Sequence, residues 1–262
     1  MQGFAVNQRK GWRRGTGLLA LMLLAGAALA GELRLYTEEY PPLSFTRQGV
    51  PDGLAVNVVQ ALIARTGSAA QILFVPWTRG YHEVQQQADT GLFATVRTAQ
   101  REALFQWVGP IAEGRTGFYT HAGSGLHLRN LADVEAQGTL AVPKQWYSYE
   151  VLKAQGLSTL YGVPSPRHML NMFKLGRIRV LVANSATLRG MLAEHGMTPD
   201  QVELQFSFMP SDSYIAFSRS TSPALVARWQ AQLQAMRDDG SLAAITQRWV
   251  EAAPPAAARA SP

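Results

Sequence analysis

The chain has 262 residues and no cysteine. That excludes disulfide cross-links, thiolate chemistry and thiolate metal sites, and also a bacterial lipid anchor, which is built on a cysteine. Metal-ligand patterns are missing as well. The five histidines, His82, His121, His127, His168 and His195, are scattered and form no H-E-x-x-H pair. "AGSGLH" is not a nucleophile elbow, and no glycine-rich phosphate loop follows a strand-like run. The apolar stretch "LLALMLLAGAALA", 13 residues long, is too short to span a bilayer.

That stretch has another use. It follows the basic segment "NQRKGWRRGTG" and ends in Ala28-Leu29-Ala30, the small-x-small pattern of a cleavage site. Residues 1–30 therefore read as a secretory signal peptide, and the flanks of Arg13-Arg14 fit a twin-arginine signal poorly. Removing them takes away Arg9, Lys10, Arg13 and Arg14 and no acid, so the formal charge of +6 falls by these four to +2. The basic balance belongs partly to the leader and argues for no nucleic-acid partner. The remaining chain is expected to be soluble, exported and large enough for one domain or two lobes.

Along that chain, strand-like and helix-like patterns alternate. Leu33–Thr37 alternates as a strand, and "EEYPPLSF" is rich in turn residues. "GLAVNVVQALIARTG" puts Leu54, Val58, Leu62 and Ile63 on one helical face and stops at Gly67. "QILFVPW" and "GLFATV" read as strands around the polar helix "TRGYHEVQQQ". The second half continues with strands "GTLAV", "STLYGV", "IRVLVAN" and "SYIAFSR", a helix over 149–154, and helices "SPRHMLNMFKLG" and "SATLRGMLAEHG". Two closing helices break at Gly240, and residues 252–262 read as a disordered tail. Such alternation predicts an α/β layer fold with mostly parallel strands. One local feature is odd. Thr98 stands where a helix N-cap belongs, yet Arg101 takes the position where a capping box has Glu or Gln. A cation in a first helical turn costs a few tenths to about 1 kcal/mol.

Four segments in this order resemble the bacterial periplasmic solute-binding proteins of family 3, the amino-acid-importer type. They are "TEEYPPLSF" with "GVPDGLAVNVVQAL", "DTGLFATVRTAQREALFQWVGPI", "LGRIRVLVANSATL" and "MRDDGSLAAITQRWV". The resemblance implies the two-lobed type II periplasmic-binding clamp, each lobe a mostly parallel sheet flanked by helices. Lobe one would be residues 31–117 plus 214–251 and lobe two 118–213, with hinge crossings near Gly117 and Tyr214. It further implies a periplasmic monomer without cofactor or metal. That monomer would capture a small carboxylate-bearing ligand by hinge closure and deliver it to an inner-membrane ABC permease or present it to a membrane receptor.

By the same resemblance Arg101 would hold the ligand carboxylate, a bidentate task for which guanidinium is suited. Tyr40 and Trp77 would wall the pocket, Thr98 would serve as a cap or contact, and the turn Trp146-Tyr147-Ser148 would close from lobe two. Three positions depart from the family pattern. Ala94 and Val96 replace small hydroxyl residues before the arginine. Asn184 falls where the family places the acid for an α-amino group, and an amide cannot neutralise an ammonium. These departures point to a ligand with an anionic group and a flat or apolar body. Glu38 and Glu39 allow a lyase or dehydratase on the same scaffold, but they read more simply as a solvated turn.

Overall fold

The computed structural model describes Gly3 and residues 32–251. The expected signal peptide and C-terminal tail lie outside the described residues. In chain order the strands are β1 (Leu33–Thr37), β2 (Phe45–Arg47), β3 (Val50–Asp52), β4 (Ala70–Phe74), β5 (Thr90–Val96) and β6 (Phe105–Ala112). They continue as β7 (Arg115–His121), β8 (Leu140–Pro143), β9 (Leu160–Val163), β10 (Leu181–Asn184), β11 (Val202–Pro210) and β12 (Ser213–Ser218). The helices are α1 (Leu54–Thr66), α2 (Trp77–Gln86), α3 (Leu131–Glu135), α4 (Tyr147–Ala154), α5 (Pro166–Lys174), α6 (Ser185–Ala193), α7 (Pro223–Asp238) and α8 (Ser241–Glu251).

The first sheet has the order β4-β1-β5-β12-β6. Strand alternation explains its two-faced burial. Leu33, Leu35, Ile215 and Phe217 pack on one side with α1, α7 and α8, around the buried Trp229. Tyr36, Leu92 and Ala216 point to the other side and pack with Val84 of α2. Helix α1 buries the predicted Leu54, Val58 and Leu62 and ends at Gly67 in the left-handed conformation (φ 62°), where glycine avoids the Cβ penalty. Gly240 (φ 78°) separates α7 from α8 as expected.

The second group comprises the sheet β10-β7-β11 and the parallel pair β8-β9. Leu181, Ala183 and Ala141 pack against α5 and α6, whereas Val180, Val182, Leu140 and Val142 face the opposite core beside α4. The expectation of mostly parallel sheets is corrected, because β7 is antiparallel to both β10 and β11, and in the first sheet β12 is antiparallel to both β5 and β6. Parallel neighbours need a helical crossover, but β7 enters directly from β6 and β11 leaves directly into β12. The chain changes sheet at 113–114 and again at 211–212. Ser211 N–H donates to Gly114 O (2.9 Å) and Gly114 N–H to Asp212 Oδ1 (3.0 Å), so the two connections are tied to each other. Gly117 and Tyr214 lie inside the strands that follow, β7 and β12. Among the described residues no helix is long and apolar enough to cross a membrane.

Candidate functional site

Strands β4, β1 and β5 run parallel, so the segments after them emerge at one edge of the first sheet. Glu38 and Tyr40 follow β1, and Trp77 opens α2 after β4. From the second group, Gln145, Trp146 and Tyr147 lie between β8 and the first turn of α4. These residues line one cavity together with Ala94, Val96 and Arg101, with about 30 Å³ of free space. That is room for about one water molecule.

Arg101 is the buried charge of this cavity, its side chain 2% exposed. Nε donates to Glu150 Oε2 at 3.0 Å and Nη2 to Glu150 Oε1 at 2.8 Å, a fork-to-carboxylate pair across 49 residues of sequence. The guanidinium carbon lies 5.2 Å from the Trp77 ring centroid and 5.4 Å from that of Tyr81. Two aromatic faces therefore position the cation, and Glu150 neutralises it. The local backbone corrects one expectation. Only a three-residue 3₁₀ turn, Glu102–Leu104, separates Arg101 from β6, so no α-helix starts there and no helix dipole opposes the guanidinium. Thr98 caps nothing. Its carbonyl receives the Arg101 N–H (3.0 Å), while its buried hydroxyl has no partner.

Tyr40 and Tyr147 are walls with engaged hydroxyls. Thr187 of α6 donates to the Tyr40 oxygen (3.0 Å), joining the two sides of the cleft. Tyr147 shares a hydrogen bond with Thr116 (2.7 Å). Burial pushes both phenols well above the usual range, so both stay protonated at neutral pH. Glu38, read from the sequence as a solvated turn residue, instead faces the cavity. Burial raises its carboxyl to about 7, although the Trp77 N–H at the start of α2 donates to it and opposes the rise. Glu39 is exposed and does not line the cavity. It accepts from the Thr46 hydroxyl (2.7 Å) and the Thr46 N–H.

Ala94 and Val96 line the cavity, whereas Thr95 Oγ1 turns back to Leu92 O (3.0 Å) and Arg97 pairs with Glu102. Ala94 has a left-handed φ of 57° beside a register shift between β5 and β12, a strained geometry for a residue with a Cβ.

Of the residues nominated from sequence, Arg101, Tyr40, Trp77, Trp146 and Tyr147 come together here. Asn184, Ser148 and Thr98 are not among the lining residues. Asn184 is buried and committed to the sheet crossing. Its Nδ2 donates to Ser211 O (3.2 Å) and Ser211 Oγ (3.1 Å), and its Oδ1 caps α6 by accepting from Ala186 N–H (2.9 Å). Ser148 is buried in the first turn of α4. Sequence reasoning missed Glu150, and its one local signal, an acid in a first helical turn, is ordinary. Among the described residues no cluster of three His, Asp or Glu side chains could hold a metal.

The model of the bacterial extracellular solute-binding proteins, family 3, matches residues 33–252. Solved structures with the same fold include a mutant of ArgBP from T. maritima, 15% identical with a TM-score of 0.71, covering 85% of this chain and 96% of that one. A histidine kinase sensor domain with similarity to periplasmic binding proteins is 17% identical at a TM-score of 0.74, covering 86% and 98%. An ABC uptake transporter substrate-binding protein from Streptococcus pneumoniae, with bound histidine, is 13% identical at 0.69, covering 83% and 92%. No curated protein matches at the same significance. The fold is that of the type II periplasmic-binding proteins, a two-lobed clamp.

Proposed function

Because the chain belongs to the bacterial extracellular solute-binding proteins, family 3, we propose that it is a periplasmic clamp for a small carboxylate-bearing ligand. After removal of the signal peptide 1–30, lobe one is residues 31–117 with 214–251 and lobe two is residues 118–213. The hinge lies where the tied segments at Gly114 and Ser211 cross. The ligand enters the open cleft, places its carboxylate on Arg101 and lays a flat or apolar body between Tyr40, Trp77 and Trp146. Lobe two then closes with Tyr147, and the loaded monomer docks on an inner-membrane ABC permease. Asn184 backs the wall by donating to the Tyr147 oxygen (3.4 Å). The protein works by binding rather than turnover, since the two carboxylates a lyase would need are split between the cavity and the exposed turn.

The observation that carries this reading is the Arg101 fork, buried over two aromatic rings and already gripping a carboxylate. Planar, bidentate recognition of this kind suits a carboxylate and discriminates against neutral isosteres. The test is a thermal-shift screen of small carboxylates, amino acids and amines on wild type and Arg101→Ala. Carboxylates should raise Tm of the wild type alone. A variant that still binds the same carboxylate normally defeats the assignment.

A second reading, a sensor that presents its closed state to a membrane receptor, draws on the likeness to a histidine kinase sensor domain. Stimulation of a reconstituted permease by the loaded protein favours the importer, and its absence favours the sensor.

A further inference from the structure

Among the described residues Glu150 is the one acid whose carboxylate reaches the buried guanidinium, and it comes from α4 on the opposite side of the cleft. Among the described residues there are three other ion pairs, Arg47–Asp52, Arg65–Asp239 and Arg97–Glu102, and each joins residues of the first-sheet side. Arg101–Glu150 alone crosses from one side to the other. The two members are held unequally. Arg101 is held against Trp77 and Tyr81, whereas the Glu150 side chain is 35% exposed and can swing into water without leaving a buried anion behind. The Nε/Nη2 edge of Arg101 donates twice to Glu150, so that edge has no capacity for a second carboxylate while the pair stands. With the pair formed, the cavity beside Arg101 has about 30 Å³ of free space, less than an organic acid fills.

We propose that Glu150 is an internal competitor for the ligand's carboxylate: it occupies the Nε/Nη2 edge of Arg101, holds the two lobes together, and must be displaced before ligand can take that edge. The proposal rests on the carboxylate reading above and assigns that site its affinity-setting residue. A tethered carboxylate acts at an effective concentration in the millimolar range or above, so it outcompetes simple free acids. If the closed pair accounts for about nine-tenths of the ligand-free population, apparent affinity falls about tenfold. Ligands whose bodies also fill the aromatic walls overcome that deficit, and small anions such as acetate do not. Glu150 thereby selects for the body of the ligand, although it touches only the site of the head group.

The chain has no native cysteine, so a label pair at exposed Val50 and Leu175, one on each lobe, reports closure directly. Label-to-label distances are measured without ligand by pulsed electron spin resonance for wild type, Glu150→Gln and Glu150→Ala. Each is then titrated calorimetrically with acetate, benzoate and L-phenylalanine. Thermal melts confirm that the variants fold, and Glu150→Gln keeps the side-chain volume if the alanine variant does not. The expected result is a longer, broader distance distribution in the variants and a gain of about tenfold in affinity for at least one carboxylate. Unchanged distances with equal affinities in variant and wild type overturn the role of Glu150, while loss of binding in Arg101→Ala preserves the carboxylate reading. Variants that open yet bind no carboxylate sink the carboxylate reading, and the competition falls with it.

Discussion

Arg97 and Arg101 leave the same turn, four residues apart, and each is forked by a glutamate. The outer pair, Arg97–Glu102, is local and open to solvent, with side chains 41% and 52% exposed. The inner pair, Arg101–Glu150, spans the cleft and buries its arginine. Arg97 also lies over Trp107 and Tyr214, so even the aromatic company is alike. What differs is access to water. Outside, solvent competes for both ions and the pair contributes little; inside, the guanidinium depends on whatever carboxylate is present. Identical chemistry becomes a strut in one place and a binding site in the other.

That contrast can be broken most severely at Arg101. Replacing it with alanine should abolish carboxylate-dependent thermal shifts and lower stability by about 2–3 kcal/mol through the packing lost against Trp77 and Tyr81, read by urea denaturation.

Glu38 tests the other buried charge by pH. Its folded value of about 7 exceeds the ordinary glutamate value of 4.5, so between these limits the native state holds a proton that the unfolded chain has released. Stability from this group is therefore full at low pH and is lost as pH rises through about 4.5 to 7. Glu38→Gln should match wild type near pH 5 and exceed it by about 1–3 kcal/mol at pH 8, the lower end allowing for partial solvent access. Parallel melting curves across that range that never diverge would reject the burial argument.

Asn184→Ala removes the α6 cap and two hydrogen bonds to Ser211, so a loss of about 1–2 kcal/mol is expected in chemical denaturation. Ligand affinity should change less than in Arg101→Ala, because the amide lies at the sheet crossing. Smallest of all, Arg97→Ala should cost about 0–1 kcal/mol and leave carboxylate binding intact, and equal effects at Arg97 and Arg101 would erase the distinction between outer and inner pairs.

Much of the framework was readable before any coordinates. The 3.6-residue period of α1 with Gly67 behind it, and the unbroken apolar runs of β10 and β12, report burial that local sequence records directly. The hairpin β2–β3 escaped because its turn places Gln48 rather than glycine or asparagine at positive φ beside Gly49. The antiparallel β7 escaped because its direction is set by partners distant in sequence, β10 and β11. At the site, the family resemblance pointed to Arg101, Tyr40, Trp77, Trp146 and Tyr147. Asn184 lies off the cavity lining because the acceptor that engages it, Ser211, belongs to a crossing distant in sequence. Glu150 was invisible because its meaning lies in a partner 49 residues away. Glu38 and Glu39 are neighbours in sequence, yet one faces the cavity and the other the hairpin, a division that only the turn geometry decides.

The most direct test of carboxylate recognition compares benzoate with benzamide, nearly identical in shape but different in charge. Thermal shifts are measured for both on wild type and Arg101→Ala. The account predicts stabilisation by benzoate alone and only in the wild type. Equal stabilisation by benzamide, or a benzoate shift that survives loss of Arg101, would contradict it.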